Sequence, residues 1–380
     1  MSLHDSFERH FSIMRDPRRE HGRVYELKHI LFLAVFAAIS DCDDWVDVAE
    51  CCEEHRERLE KDFGITQIPS HDTFRAVFAR IKPAAFEACF LSWMREIAAA
   101  KQWGVVAVDG KTLRGSHSKR DGQPALQMVT AWLAEASLVL AIKTVPEDTN
   151  EIATVPQLLR ELILKQCIVT ADAANCQSEN TRIIVEQGGD YVLPVKENQP
   201  KLHENIELSF EHERKRAFQN VAHETFVTRE RNRGRIEERH YTLLSEPDYI
   251  AHFNADGRWW RLASVLRVER KRTIAEQTET EVHYFISSLS KDVKRAANSI
   301  RVHWHIENRQ HYPLDVAMHE DDARNRVGFQ PENMAIVRRM ALNLIRLEGT
   351  PKLSLTTKRK RAARNIDFAF KVLAAAPALN

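Results

Sequence analysis

Apolar residues recur with the 3.6-residue period of helices over residues 1–100 and change to short continuous runs beyond them. A nearly all-apolar helix is predicted over 27–40. A second apolar stripe follows a helix N-cap at Ser70 or Asp72. With two further helical segments, this pattern predicts a small N-terminal helical bundle.

Short apolar runs after residue 104 predict strands rather than helices. The runs 105–108 and 167–171 are typical of strands buried on both faces. The segments 126–133 and 138–145 flank a short turn, so they are predicted to pair antiparallel. Helical segments separate 138–145, 167–171 and a further strand at 191–195. This alternation predicts an α/β fold with a mixed sheet and helices on both faces.

Residues 202–290 interrupt that alternation. A helical segment at 202–213 is followed by strand-like segments at 236–244, 259–268 and 280–287. We interpret the region as a β-rich insertion inside the α/β domain.

Two of the buried strands lead into aspartates, and a third acid lies on a predicted helix. Asp109 follows the first strand and Asp172 the strand at 167–171. One Asp-Gly pair alone is typical of a turn, but ligands of open α/β sheets bind at the carboxyl ends of strands. Glu307 is predicted to lie on a helix that starts near residue 293 and to face the core. It shares one helix face with four apolar residues, Val293, Ala297, Ile300 and Trp304. Three converging carboxylates would need a hard divalent cation, Mg²⁺ or Mn²⁺.

Composition indicates a folded protein with an uneven charge distribution. Of the 380 residues, 43% are hydrophobic and 29% are charged. The longest apolar run, 30–39, is too short to span a bilayer, and no signal peptide is expected. Six cysteines without CxxC spacing favour a reduced cytosolic chain. The net charge of +1 combines −5 over residues 1–100 with +6 over 351–380, so a polyanionic partner would be bound by local patches.

Several basic residues are candidates for phosphate contacts. Lys111, Lys196 and Arg301 flank the predicted site, although each fits an ordinary surface charge equally well. Two features of the insertion are compatible with DNA contact: the arginine-rich segment 229–235 with the DNA backbone and the Trp259-Trp260 pair with stacked bases. They are equally compatible with a solvated strand face and with tryptophans of the core. The three arginines proposed to contact DNA there are Arg231, Arg233 and Arg235. A helix-turn-helix within residues 1–100 is possible, but the negative charge favours packing or assembly.

The order of motifs resembles the DDE transposases of bacterial insertion sequences, in particular the branch that includes the H-repeat-associated proteins of Rhs elements. The motifs are VVAVDGKTLRGS, IVTADAANCQ, YVLPVKENQP, GRIEERHY, HYFISSLS and IRVHWHIENRQHYPLDVAMHEDDARNR. The segment from Asp16 to Leu27 and the motif IPSHDTF resemble the helical domain attached to that branch.

This resemblance implies a fold, an activity and a triad. The fold is a ribonuclease-H-like mixed sheet with a β-rich insertion, preceded by an N-terminal helical domain. Three segments are expected: a helical domain over 1–100, a catalytic domain over 101–350 and a basic tail over 351–380. The triad carried over is Asp109, Asp172 and Glu307.

The implied chemistry is DNA cleavage and strand transfer with two Mg²⁺ or Mn²⁺ ions. The expected partners are double-stranded DNA, at transposon ends and target, and further copies of the chain, without a membrane and in the bacterial cytoplasm at the nucleoid. Two positions depart from related transposases, which often have Arg where this chain has His303 and Lys where it has Leu314. Arg301 is a possible substitute.

Two other functions stay open at this point. A degenerate or domesticated copy would bind DNA without cutting it, and a ribonuclease-H-like endonuclease would cut without strand transfer. A zinc site is disfavoured because the histidines do not converge on a helix. They are His303, His305, His311 and His319.

Overall fold

The apolar run at 30–39 lies in a helix, α2 (Leu27–Ile39), and every side chain of the run is buried.

The computed structural model describes residues 3–99, 104–117, 122, 124–232, 234–275 and 277–375. The chain forms two compact units, each built from separate stretches of sequence. Unit 1 contains Met1–Gln102, Gly110–Asn150 and Ile306–Asn380, and unit 2 contains Trp103–Asp109 and Glu151–His305.

Unit 1 is mainly helical. Its N-terminal helices are α1 (Leu3–Phe11), α2, α3 (Trp45–Glu54), α4 (Arg56–Phe63), α5 (His71–Phe78) and α6 (Pro83–Ala99). Ser70 is the N-cap of α5, since its hydroxyl accepts a hydrogen bond from the Thr73 amide at 3.4 Å. The predicted helical bundle is confirmed, and Ser70 rather than Asp72 begins the helix.

One strand, β1 (Val105–Leu113), has residues in both units. In unit 1 it is followed by β2 (Leu126–Leu133) and β3 (Leu138–Thr144), in the order β3-β2-β1. β2 and β3 pair antiparallel, as predicted.

A buried helix that the sequence analysis did not single out, α13, holds unit 1 together. The last helices of this unit are α12 (Tyr312–Val316), α13 (Gln330–Leu347), α14 (Leu355–Arg364) and α15 (Ile366–Leu373). Asn333 on α13 donates to the carbonyls of Phe78 (2.7 Å) and Ile81 (2.9 Å). Asn343 exchanges two hydrogen bonds of 2.9 Å with the backbone of Val139 in β3. Amide side chains on one helix thus fix both the N-terminal helices and the sheet edge of unit 1.

The segment predicted as a basic tail is partly folded. Arg359 on α14 is 1% exposed and contacts the carboxylates of Asp41 (3.0 Å) and Asp43 (2.5 Å). Lys358, also buried, lies 3.0 Å from the Glu348 carboxylate. These buried charges are stable only because each has an acidic partner. The domain boundaries at residues 100 and 350 stay a prediction.

Unit 2 contains a mixed sheet in the order β1-β4-β5-β9-β8-β7-β6. β4 (Ile168–Ala171) is parallel to β1, and β5 (Asp190–Val195) is parallel to β4. Between and after these strands lie α7 (Glu151–Glu161), α8 (Ser178–Glu186) and α9 (Pro200–Lys215). The predicted strand-helix alternation is confirmed.

The β-rich insertion is also confirmed, and its last strand joins the sheet. It contains β6 (His223–Asn232), β7 (Arg235–Leu244), α10 (Pro247–Phe253), β8 (Ser264–Ile274) and β9 (Gln277–Ser287). β9 pairs antiparallel with β5. Part of the strand predicted over 259–268 is wrong, since β8 begins only at Ser264 and Trp259 is buried ahead of it.

The helix after the insertion, α11 (Val293–His303), packs on this sheet through the predicted apolar face. Val293, Ala297 and Ile300 are buried in a cluster with side chains of β4, β5 and the insertion strands. The fold class is therefore a mixed α/β sheet with a β-rich insertion and a helical N-terminal region, as predicted. Within the described part of the chain, no helix combines the length and apolarity needed to cross a membrane.

Candidate active site

Asp109 and Asp172 follow register partners on adjacent parallel strands of unit 2. Val108 pairs with Ala171; Asp109 is the next residue of β1, and Asp172 comes directly after the last residue of β4. Because neighbouring strands are about 4.8 Å apart, the two residues are neighbours in the chain segments that leave this pair of registers. The sequence predicted that β1 ends before Asp109. That bound is wrong, because β1 continues to Leu113.

A buried asparagine fixes the Asp172 carboxylate. Oδ1 of Asp172 accepts hydrogen bonds from the backbone N (3.1 Å) and the Nδ2 (2.7 Å) of Asn175. The same Nδ2 donates to Oε1 of Glu151, also at 2.7 Å. One amide group therefore bridges two carboxylates and sets the orientation of Asp172.

Glu151 is a fourth carboxylate of this region, and its environment opposes ionisation. Burial raises the pKa of Glu151 above its ordinary value, and the negative charge of Asp172 acts in the same direction. The hydrogen bond from Asn175 opposes both effects. An acid placed next to Asp172 in this way indicates a site where negative charge is concentrated.

The ENQP sequence after β5 supports the loop that carries Asp172. Asn198 donates to the Ala173 carbonyl at 2.5 Å, and Gln199 donates to the Cys176 carbonyl at 3.1 Å. The Ala173 carbonyl also accepts from the Cys176 amide at 3.0 Å, so the two side chains tie the loop after β4 to the segment after β5. They give a structural reason for the amide side chains of the YVLPVKENQP motif.

Glu307 is exposed, which corrects the expectation that it faces the core. Its side chain is 75% exposed, and its Oε2 lies 3.2 Å from Nδ1 of the buried His311. Residues Glu307–His311 form a π-helical turn rather than a continuation of α11. A π turn holds an extra residue, so it rotates the following side chains away from the face that α-helical spacing predicts.

Pro313 and Arg346 account for the chain conformation after Glu307. Pro313 has no N–H, so it cannot donate to the Arg309 carbonyl four residues earlier. The Arg346 guanidinium donates to that carbonyl instead, and also to Oε1 of Gln310 (2.7 Å) and the Ser137 carbonyl (2.8 Å). Burial lowers the pKa of Arg346 to about 9, which leaves it charged at neutral pH. Arg346 thus holds the segment that presents Glu307.

Trp304, three residues before Glu307 in sequence, contacts the insertion. The guanidinium carbons of Arg239 and Arg270 lie 5.6 and 5.3 Å from the centroid of the Trp304 ring. Two cation–π contacts, each worth about 0.5–2 kcal/mol, fix the end of α11 against β7 and β8.

Two of the predicted phosphate contacts are engaged in ion pairs. The ammonium of Lys111 is buried and lies 2.7 and 2.8 Å from the two carboxylate oxygens of Asp315. Arg301 makes a bidentate contact with Glu230, at 3.2 and 2.6 Å. A DNA phosphate would have to compete with these acids. The assignment of Lys111 and Arg301 to DNA stays a prediction.

The other predicted DNA contacts are more accessible. Lys196 is exposed and lines a cleft of about 520 Å³ together with Ala173, the neighbour of Asp172. Arg231 is exposed on β6, whereas the Nε of Arg235 lies 3.0 Å from Glu237. Arg233 lies outside the described residues. The DNA contacts of Lys196, Arg231 and Arg235 stay predictions.

Sequence reasoning missed three residues of this region. Asn175 lies inside a motif quoted above, so its place beside Asp172 was a usable signal. Glu151 and Arg346 lie outside those motifs, and only the folded chain connects them to Asp172 and to the Glu307 turn.

Comparisons with known proteins show the family of this chain. The family described as "Transposase DDE domain" matches residues 102–344, and the one described as "DDE_Tnp_1-associated" matches residues 8–94. The chain is 35% identical to "Putative protein YbfL" and to "H repeat-associated putative transposase YhhI", both of Escherichia coli K12. Each alignment covers 96% of this chain and 97% of the relative.

A weaker similarity is found among solved structures. The chain aligns over its whole length with 86% of the piggyBac transposase chain in a synaptic complex with hairpin DNA. The TM-score is 0.38 and the sequence identity is 11%.

Proposed function

We propose, since this chain belongs to the family of DDE transposases, that it catalyses metal-dependent DNA cleavage and strand transfer of an insertion-sequence element. Membership of the family supports transposase function in general.

The observation that carries the proposal is the register of Asp109 and Asp172. Two acids on adjacent parallel strands repel each other, by about 4 kcal/mol for charges 4 Å apart at an intermediate dielectric. A divalent cation bound by both carboxylates would offset this repulsion. We assign Asp109, Asp172 and Glu307 as the catalytic triad.

The donor chemistry of these residues fits a divalent metal. DDE transposase domains use divalent ions, and all three side chains offer carboxylate oxygens, the ligands that Mg²⁺ and Mn²⁺ prefer. When bound, such ions lower the pKa of a nucleophilic water or hydroxyl and stabilise charge on the phosphodiester. Asn175 holds Asp172 in one orientation, and the exposed Lys196 would contact a DNA phosphate.

Transposition joins two DNA ends, so we also propose that the active species contains at least two copies of the chain on DNA. The basic groups that are not already paired with acids would supply the contacts with the duplex backbone.

A cleavage assay tests the proposal. Purified protein is incubated with a duplex that carries the DNA flanking the gene, with Mg²⁺, with Mn²⁺ or with EDTA. Cleavage at the element ends and joining to a target plasmid are expected with either metal and not with EDTA.

Other outcomes of this assay would contradict the proposal. Binding without cleavage in both metals would indicate a degenerate DNA-binding copy, and cleavage without joining would indicate an endonuclease. A scrambled flanking sequence is the control for end specificity.

Replacing Arg346 with lysine is expected to lower the cleavage rate about 10- to 100-fold, the usual effect of losing a residue that orients a metal-binding group. Lysine keeps the charge but cannot donate to three acceptors in a fixed fork. The rate is measured at saturating DNA, and the melting temperature is measured on the same sample.

Arg364→Lys is the control for Arg346→Lys, because Arg364 is an exposed arginine of α14. If both variants cleave within twofold of the wild-type rate, Arg346 does not position the segment that carries Glu307.

A further inference from the structure

The segment Asp16–Leu27, singled out in the sequence, has no role in the proposed active site. Its first part, together with the residues that precede α6, lines an open cleft of about 790 Å³ within unit 1. The lining of the cleft contains six basic side chains and only two acidic ones. The basic residues are Arg15, Arg18, Arg19, Arg23, Arg80 and Lys82, and the acidic ones are Asp16 and Glu20.

Two of these arginines build the wall of the cleft. Arg18 makes a bidentate contact with Asp16, at 3.0 and 2.7 Å, and donates to the carbonyl of Tyr25. Arg23 donates two hydrogen bonds, of 3.1 and 3.0 Å, to the carbonyl of Arg18. The loop is therefore held by its own charged residues, and Asp16 is occupied by Arg18.

The other basic groups are not compensated. Arg15, Arg19, Arg80 and Lys82 are exposed, and none of them makes an ion pair with any residue that the structure describes. Each remains available to a ligand in the cleft.

Two further features of the cleft favour an anion. The Arg18 side chain is only 8% exposed, and its buried Nη1 has no hydrogen-bond partner among the described residues. The 17-residue helix α6 begins at Pro83, directly after Lys82, and has no acidic residue in its first turn. Its N-terminus adds a partial positive charge.

We infer that this cleft binds the phosphodiester backbone of duplex DNA at a site distinct from the carboxylate site. The inference rests on the proposed function, which makes DNA the partner. The cleft is larger than one phosphate group requires, and apolar side chains of Met14, Pro17 and Ile81 line it beside the charges. Such a lining suits successive phosphates with sugar between them.

This site changes the interpretation of the N-terminal region. Its net charge of −5 argued against DNA contact. Association with a polyanion depends on the local potential, and here the basic groups share one cleft. Phosphate contacts position a protein on the duplex without reading its sequence, so the cleft would hold DNA of any sequence.

The test is the salt dependence of DNA binding by the full chain in EDTA, where no cleavage occurs. The variant is Arg15→Gln, Arg19→Gln and Arg80→Gln together. Each lost phosphate contact lowers the slope of log K against log salt by about 0.9, so a decrease of about 2 to 3 is expected. At 0.15 M salt the dissociation constant should rise at least about tenfold for both end and scrambled duplexes.

A control with the same charge change combines Arg56→Gln, Lys61→Gln and Arg75→Gln, three basic residues of helices α4 and α5 outside the cleft. It should leave the slope within about 0.5 of wild type. Melting temperatures of both variants confirm that they fold.

An unchanged slope in the cleft variant would overturn the inference, and if wild-type protein still cleaves end DNA, the proposed function stands while the cleft assignment fails. Pyrophosphate binding, measured by calorimetry in the same buffer, then distinguishes the causes: if wild-type protein binds pyrophosphate and the cleft variant does not, the cleft belongs to a small free anion. Failure of wild-type protein to cleave, with the slope reduced, would reject the proposed function and leave the cleft assignment intact.

Discussion

Replacing Asp109 or Asp172 with asparagine is expected to reduce metal-dependent DNA cleavage by about a thousandfold or more. A metal-binding carboxylate contributes several kcal/mol to transition-state stabilisation, and each 1.36 kcal/mol corresponds to a tenfold change in rate. Asparagine keeps the carbonyl oxygen that accepts the bonds from Asn175, so the loop after β4 should keep its conformation. The measurement is the single-turnover cleavage rate on end DNA.

DNA binding and stability separate this result from unfolding. Both variants should bind end DNA within about threefold of the wild-type affinity, because each removes a negative charge rather than a phosphate contact. Asp256→Asn, an exposed aspartate of unit 2, is the control and should cleave normally. A cleavage rate within threefold of wild type for either Asp109→Asn or Asp172→Asn would remove that residue from the triad.

The sheet was predictable because its local and long-range signals agree. The strand Leu126–Leu133 was predicted with the bounds that the structure gives it, and Leu138–Thr144 differs by one residue. Apolar runs of this length are buried in almost any α/β arrangement. The register of Val108 with Ala171, which brings Asp109 and Asp172 onto neighbouring segments, also follows from sequence, since parallel strands place their carboxyl ends at one edge of a sheet; the triad itself stays a prediction.

The environment of Glu307 was not predictable from periodicity. Helical spacing places Glu307 on the same face as Val293, Ala297 and Ile300, which are buried. The π turn that exposes Glu307 is stabilised by Arg346, nearly forty residues later, which donates to the carbonyl left free by Pro313. A bond between residues so distant in sequence leaves no periodic signal.

The C-terminal charges illustrate the same limit. Counted along the sequence, residues 351–380 form a strongly basic segment. In the folded chain the guanidinium of Arg359 contacts Asp41 and Asp43, which follow α2 more than three hundred residues earlier in the sequence. Net charge by segment predicts a DNA-binding tail, whereas pairing between segments removes part of that charge. The charge available to DNA has to be counted after folding.

Replacing Arg339 with methionine is expected to lower the free energy of unfolding by about 3–5 kcal/mol, the cost of leaving one charge of a buried pair without its partner. Arg339 and Glu320 are 0% and 1% exposed, and Nη1 lies 2.5 Å from Oε1. Arg339 also donates to the Ala335 carbonyl at 3.0 Å. The measurement is guanidinium-induced unfolding followed by tryptophan fluorescence.

The double variant Arg339→Met and Glu320→Leu identifies the cause of that loss. If the cost is an uncompensated carboxylate, removing Glu320 as well should recover most of the stability, because apolar replacements of a whole buried pair are often neutral. Arg56→Met, which breaks an exposed pair with Glu53, should cost less than about 1 kcal/mol. A single Arg339→Met variant as stable as Arg56→Met would show that the Arg339–Glu320 pair does not hold α13 in unit 1.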